Sequence, residues 1–185
     1  DPRTNYNTTD DRDDFAQGFV SLSGTRLLGE RSSWSATAYH VGAGGHYDLR
    51  FDTSSVTRFG LEHGVTGALT SATLRRGRLG LDLGAHFNTY ARDHWAADAA
   101  AEEARYYQNT GHKRDGSAFA RARVEQGPVS LFGELQVRSA WFRYEASSAS
   151  RIADRDVSWR FANPKAGVTW QAAAPLSIYA TYGRT

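Results

Sequence analysis

The 185-residue sequence contains no cysteine and no methionine. Without cysteine, a disulfide framework, a thiolate zinc site and a cysteine nucleophile are all excluded. No run of about 18 or more apolar residues occurs, so no transmembrane helix is predicted. Because position 1 is aspartate and no charged-then-apolar leader follows it, we expect the chain to be processed or to be part of a longer protein.

A large excess of one charge is also lacking. The sequence has 22 Lys and Arg against 20 Asp and Glu, which gives a formal net charge of +2. Since no basic stripe with interleaved aromatic residues accompanies this small excess, we expect no nucleic-acid partner. The length fits one domain, and a 40% hydrophobic composition excludes an acidic disordered tail.

The dominant positive signal is alternation of apolar and polar residues. Between Leu79 and Tyr90, one set of alternate residues is apolar and the other contains Asp82, His86 and Asn88. A period of two is typical of a strand and not of a helix. Similar alternation or strand-like composition occurs in seven other segments, so about eight strands are predicted. These segments are 15–25, 34–41, 59–74, 117–124, 129–141, 162–170 and 176–183.

The predicted connections alternate between short and long. Short ones lie at 28–32, 75–78, 125–128 and 171–175, and long ones lie near 42–56, 92–113 and 145–157. This order is typical of an antiparallel meander with tight turns at one edge and extended loops at the other. Within the second long connection, Ala96–Tyr107 is rich in helix formers, with Asp98 as a possible cap, so we expect a short helix there.

Alternation fits two architectures of opposite polarity. A soluble sandwich turns its apolar face inward, whereas an outer-membrane barrel turns it outward to lipid. Alternation over ten or more residues favours the barrel, as does the mixed charge on the polar face. Aromatic residues near strand ends also suit the girdles of a barrel. These aromatic residues are Tyr90, Trp95, Trp141, Tyr144, Trp159 and Trp170.

Two consecutive segments resemble TonB-dependent outer-membrane receptors. Asn163–Trp170 reads Asn-Pro-Lys-Ala-Gly-Val-Thr-Trp, and Leu176–Arg184 reads Leu-Ser-Ile-Tyr-Ala-Thr-Tyr-Gly-Arg. Leu79–Trp95 and Tyr106–Asp115 are similar to the same family. The resemblance covers most of the chain from about residue 58 onward, and it consists of strand and loop patterns rather than a catalytic motif.

The resemblance implies an all-β fold: an antiparallel up-and-down meander that forms part of a transmembrane β-barrel, with about eight strands. It further implies short periplasmic turns, long extracellular loops and a Gram-negative outer-membrane location. The whole chain, residues 1–185, would be a partial barrel domain. The implied function is TonB-energised uptake of a scarce nutrient such as a siderophore–iron chelate. Outer-membrane lipid and a small nutrient ligand would be partners. TonB would act only through a plug and a TonB box, which we do not find in this sequence.

Ligand contact in such receptors is expected at the extracellular loops. The residues of this chain that we expect there are Arg92, His94, Trp95, Tyr106 and Tyr107. Basic residues on the predicted wet face have two open interpretations, since they either attract an anionic chelate or form ion pairs within the barrel. They are Arg121, Arg123, Arg138 and Lys165. Gly42–Gly45 lacks phosphate-loop spacing and is predicted to be a flexible extracellular loop.

No cofactor, metal site or catalytic residue is predicted. The six histidines form no close metal-binding pair. The carboxylates between Asp10 and Asp14 could supply calcium ligands, but they lack the glycine turn of a calcium loop and suit a solvated loop. His86, Asn88 and Asp82 share a face with Ser130, yet no nucleophile elbow accompanies them. The alternatives that stay open are a small closed barrel acting as an enzyme or adhesin, and a soluble all-β binding domain.

Overall fold

The computed structural model describes residues 11–51, 55–147, 149 and 152–184, and these contain eight β-strands. Each strand pairs antiparallel with the next, in the sheet order β1 to β8, which confirms the predicted meander. No helix in these residues is long and apolar enough to cross a membrane. The strands are β1 (Arg12–Gly29), β2 (Ser32–Arg50), β3 (Val56–Arg76), β4 (Leu79–Asp98), β5 (Arg105–Gln126), β6 (Val129–Glu145), β7 (Arg155–Ala173) and β8 (Leu176–Gly183).

The strands are much longer than the sequence pattern predicts. β1 to β7 contain between 17 and 22 residues each, against about 5–6 in soluble proteins. The connections predicted near 42–56 and 92–113 are therefore largely strand, whereas the one predicted near 145–157 overlaps strands only at residues 145 and 155–157. The predicted flexible loop at Gly42–Gly45 is wrong, because these residues lie inside β2 and pair with β1, as Gly42 does with Gly18.

The predicted helix at Ala96–Tyr107 is also wrong. β4 continues to Asp98 and β5 begins at Arg105, so only six residues connect the two strands. They form turns, in which the amide of Ala101 donates to the carbonyl of Asp98 over 3.0 Å. The Asp98 carboxylate accepts from the amide of Ala100 over 2.8 Å, so it caps a turn instead of a helix. A segment this short cannot repay the cost of helix nucleation.

Strand register separates the sheet into two chemically different faces. Leu83, Ala120 and Leu135 are consecutive cross-strand partners on one side. One position along, Asp82, Arg121 and Glu134 are partners on the other side. We call the first side the apolar face and the second the polar face. The two faces follow from the strict alternation of side chains along each strand.

The apolar face has a defined height above the tight turns. In β4, the residues of this face are apolar from Leu79 to Phe87, a span of nine residues. The residues 116–124, 129–137 and 162–170 give the same nine-residue span in β5, β6 and β7, counting glycine as apolar. The next residue on this face is Thr89 in β4 and Arg114 in β5. A span of about 9–11 residues is what a tilted strand needs to cross a bilayer.

This apolar face is open to its surroundings. The side chains of Phe87 and Leu135 are 53% and 51% exposed, and the only buried hydrophobic residues in the described part of the chain are three alanines. A soluble sandwich would bury such leucines against a second sheet, so that alternative does not fit. The described β1 and β8 do not pair, so a small closed eight-strand barrel does not fit either.

Half of the predicted girdle aromatics lie on the other side of the sheet. Trp95, Trp141 and Trp170 are on the apolar face, as predicted. Tyr90, Tyr144 and Trp159 alternate onto the polar face, as the pairing of Trp159 with Ala140 shows. The strands reach beyond the apolar span, so aromatic residues near their ends are not restricted to the face that would meet a membrane interface.

Replacing Gly45 with alanine is expected to destabilise the pairing of β1 with β2. A Cβ at Gly45 would overlap the backbone oxygen of Asp14 and lie 2.7 Å from the Cα of Phe15. Backbone atoms cannot move aside as a flexible side chain can, so we expect a loss of about 2 kcal/mol in urea unfolding. Gly18→Ala is the matched control, because a Cβ there meets nothing within 4 Å. Equal stability of the two variants would contradict this register.

Candidate ligand-binding site

The polar face above the tight turns is a network of paired charges and hydrogen bonds. The guanidinium of Arg138 donates to Asp115 Oδ2 from a terminal nitrogen at 2.7 Å and from Nε at 3.0 Å, and Nε lies 3.3 Å from Oδ1. Glu134 accepts from Arg121 at 2.6 Å and lies 3.4 Å from the Lys165 ammonium. Three of the four basic residues singled out in the sequence are thus neutralised by carboxylates, which favours their interpretation as ion-pair residues of the wall.

The catalytic alternative finds no support in this network. The His86 ring shares a hydrogen bond of 2.8 Å with the hydroxyl of Tyr39. Asp82 accepts from Thr73 at 3.0 Å and from Arg75 at 2.8 Å, so it does not orient the histidine. Among the described residues, no group of three or more His, Asp or Glu side chains is placed to hold a metal ion.

Beyond the nine-residue span, the polar face carries an aromatic cluster on five successive strands. Tyr47 of β2 and Phe59 of β3 are stacked, with ring centroids 4.9 Å apart and an angle of 14° between the planes. His94 of β4 and Tyr107 of β5 have centroids 5.4 Å apart, and the Tyr107 hydroxyl shares a hydrogen bond of 3.2 Å with His94 Nδ1. Tyr144 of β6 lies near enough to Tyr107 for its hydroxyl to act on that residue electrostatically, so we include it in the cluster.

The electrostatics of the aromatic cluster favour neutral rings. Burial lowers the pKa of His94, and the positive charge of Arg92 lowers it further. Burial raises the pKa of Tyr107, with a contribution from the neighbouring hydroxyls of Tyr47 and Tyr144. Both shifts keep the side chains uncharged near neutral pH. The site therefore presents flat rings and hydroxyl groups, with one arginine at its edge.

The structure divides the five residues predicted to contact a ligand. Arg92, His94 and Tyr107 share the polar face. Trp95 lies on the apolar face, where its indole packs directly over Gly60 and the Arg105 guanidinium carbon is 4.6 Å from the ring centroid. Tyr106 is the additional residue of an irregular pairing between β4 and β5 and is 49% exposed. Ligand contact by these five residues stays a prediction.

Sequence reasoning missed Tyr47 and Phe59 and placed Tyr144 in an aromatic girdle. The position of each differs by an even number from that of a polar-face residue on its own strand, as Tyr47 does from Tyr39. This parity was available in the sequence. A predicted loop at 42–56 hides this parity, because alternation has meaning only within a continuous strand.

The family comparison decides the class of protein. The model of the family described as "TonB dependent receptor-like, beta-barrel" matches residues 1–185, which is the whole sequence. The chain belongs to the TonB-dependent receptor β-barrel family. Members of this family are transport receptors and not enzymes, which agrees with the predicted absence of catalysis.

Solved structures of TonB-dependent receptors share the fold of this chain. The unliganded ferric citrate transporter FecA has 9% identity and a TM-score of 0.72, covering 94% of this chain and 28% of that one. The ferric-catecholate import receptor Fiu of E. coli K12 has 12% identity and a TM-score of 0.71, covering 96% and 36%. The copper transporter OprC has 14% identity and a TM-score of 0.76, covering 94% and 32%. Identities this low show the fold alone.

This TonB-dependent receptor chain spans about a third of the length of these three structures, between 28% and 36%. Its open sheet agrees with that proportion, since the described β1 and β8 are both free edges of the same meander. Among curated proteins, no sequence matches this chain.

Proposed function

We propose that this chain forms part of the wall of a Gram-negative outer-membrane receptor that takes up an organic metal chelate, such as a siderophore–iron complex, with energy from TonB. The observation that carries the proposal is the aromatic cluster on the polar face, beyond the span that would cross the membrane. FecA and Fiu carry iron chelates by name, and OprC carries copper, so a metal-containing nutrient is the class these relatives share.

The cluster has the chemistry that an organic chelate requires. Flat rings such as Tyr107 stack on the rings or hydrocarbon parts of a ligand, and their hydroxyl groups donate hydrogen bonds to its oxygens. Arg92 supplies a positive charge for an anionic complex. Because the nearby ring of His94 is held neutral, it accepts or donates one hydrogen bond without adding charge. Partial burial reduces competition from water.

The test is uptake by cells in which this protein is the sole receptor for iron chelates. We expect Tyr107→Ala and His94→Ala each to lower chelate uptake about tenfold, the effect of losing roughly 1.4 kcal/mol of binding. Tyr179→Ala is the matched control, because Tyr179 is a 75% exposed tyrosine on the same face near the tight turns. Folded protein is quantified in isolated outer membranes for each variant.

Two results would overturn the proposal at different levels. Uptake that continues at full rate after deletion of TonB, or a protein absent from outer membranes, would contradict the energised receptor. If neither cluster variant lowers uptake, the proposed receptor function stands, but the ligand does not bind at Tyr107 and His94.

A further inference from the structure

A row of polar and basic side chains lies at the upper boundary of the apolar face. His40 of β2 pairs with Thr66, Thr66 pairs with Thr89, and Thr89 pairs with Arg114. Arg114 in turn pairs with Trp141 of β6. These residues, with His112 two positions from Arg114, line a recess of about 580 Å³. The recess faces the same side of the sheet as the exposed leucines.

The basic side chains of this recess have hydrogen-bond donors available to an anion. The Arg114 guanidinium lies over the Trp141 ring, with its carbon 5.2 Å from the centroid. It makes no ion pair in the described part of the chain. His40 shares a hydrogen bond of 2.8 Å with Thr66 through Nδ1, so its Nε2 is directed elsewhere. Arg143 differs, because its Nε lies 2.7 Å from the Glu145 carboxylate.

An apolar groove begins one cross-strand row below this recess. Ala38 and Ala68 are partners in the first row, and Ala36 and Thr70 are partners in the second. Their small side chains leave a depression of about 700 Å³. Three larger side chains, Leu22, Trp34 and Phe87, stand at its borders. Small side chains therefore form the floor of the depression and large ones form its sides, which suits a flexible hydrocarbon chain.

We propose that the recess and the groove together bind one phosphorylated membrane lipid. Its phosphate lies against Arg114, His40 and His112, and an acyl chain lies along Ala38 and Ala68. Arginine and histidine donate hydrogen bonds to phosphate oxygens, and the stacked Trp141 holds the guanidinium in place. A soluble phosphate would use only the recess, whereas a lipid uses both parts. This inference rests on the proposed function, in which the recess lies at the level of the outer leaflet.

The test is lipid retention by the protein extracted from outer membranes in mild detergent and weighed by native mass spectrometry. We expect one phosphorylated lipid on the wild-type protein. We expect the double variant Arg114→Gln, His112→Gln to retain it about tenfold less. Arg123→Gln is the matched control, since Arg123 lies on the same strand but on the polar face. Adding inorganic phosphate should not displace the lipid.

A second variant tests the contribution of the groove while the basic side chains of the recess stay unchanged. Ala68→Leu fills the groove and is expected to lower retention, while Ala122→Leu, on the apolar face of β5 outside the groove, should leave it unchanged. Lipid retained equally by Arg114→Gln, His112→Gln and by Arg123→Gln would overturn the proposal. Displacement by inorganic phosphate would also overturn it. Retention is read from mass and not from uptake, so a receptor that fails to transport a chelate can still pass or fail this test.

Discussion

Replacing Arg58 with methionine is expected to lower the free energy of unfolding by about 3 kcal/mol. Arg58 Nε and one terminal nitrogen each lie 2.7 Å from a different carboxylate oxygen of Asp48. The two residues are direct partners of β3 and β2, and their side chains are only 19% and 7% exposed. Methionine keeps the length of the side chain but leaves the Asp48 carboxylate buried without its partner. Urea unfolding of the folded protein in detergent measures the loss.

The stabilisation by the Arg58–Asp48 pair should depend on pH. The hydrogen bond from Arg58 holds the pKa of Asp48 below its ordinary value of 3.8. A lowered folded-state pKa contributes stability that is present above about pH 4 and lost as the pH falls through the lowered pKa. In the methionine variant, this acid-dependent part of the unfolding curve should disappear. Both residues lie beyond the nine-residue apolar span, at the far end of the strands.

Glu102→Gln is the control for Arg58→Met. Glu102 also forms an ion pair with Arg58, from the turn between β4 and β5, but its side chain is 48% exposed. An exposed ion pair contributes little, so this variant should change stability by less than about 1 kcal/mol. Equal losses in the two variants would show that the buried pairing of Arg58 with Asp48 is not what stabilises this end of the sheet.

The part of the fold that sequence predicts best is the part that meets an apolar environment. Alternation from Leu79 to Phe87 is strict because one side of β4 is apolar and the other is polar there. Beyond Thr89 each side mixes polar and apolar residues, such as Asp93 with Trp95 on one side and Arg92 with Ala96 on the other. The period of two therefore disappears although the strand continues to Asp98. Pairing holds that region: Thr110 donates to the Asp93 carboxylate over 2.6 Å across β4 and β5. Hydrophobic periodicity cannot report contacts of this kind.

The candidate site is likewise predictable only in part from the sequence. The resemblance predicts ligand contact for His94 and Tyr107, and the structure places the two rings in one cluster. Tyr47 and Phe59 join them only through the register of β2 with β3, which depends on a connection that the sequence pattern did not define. The face of Trp95 can be read from the sequence, because position 95 differs from that of Leu83 by an even number within one strand, so both side chains lie on the apolar face.

Replacing Leu135 with arginine is expected to destabilise the protein in a bilayer by about 2–4 kcal/mol. Leu135 is in the row of Leu83 and Ala120, which are the central residues of the nine-residue spans of β4 and β5. An arginine at the middle of a lipid-facing span loses its hydration without gaining a partner. Urea unfolding of protein inserted in phospholipid vesicles measures the difference, and the yield of folded protein in outer membranes should fall with it.

Gln136→Arg is the matched control, because Gln136 is the next residue of β6 and faces the other way. Its side chain accepts a hydrogen bond of 3.1 Å from Asn163 on the polar face, so its replacement should cost no more than that bond, about 1 kcal/mol. Its cross-strand partners are Phe119 and Asn163. The open recess that Gln136 lines also contains Ser117 and the Asp115 carboxylate, so the new arginine has polar groups beside it. If Gln136→Arg were the more damaging of the two, lipid would lie against the polar face. The ligand cluster and the lipid recess would then both be assigned to the wrong sides of the sheet.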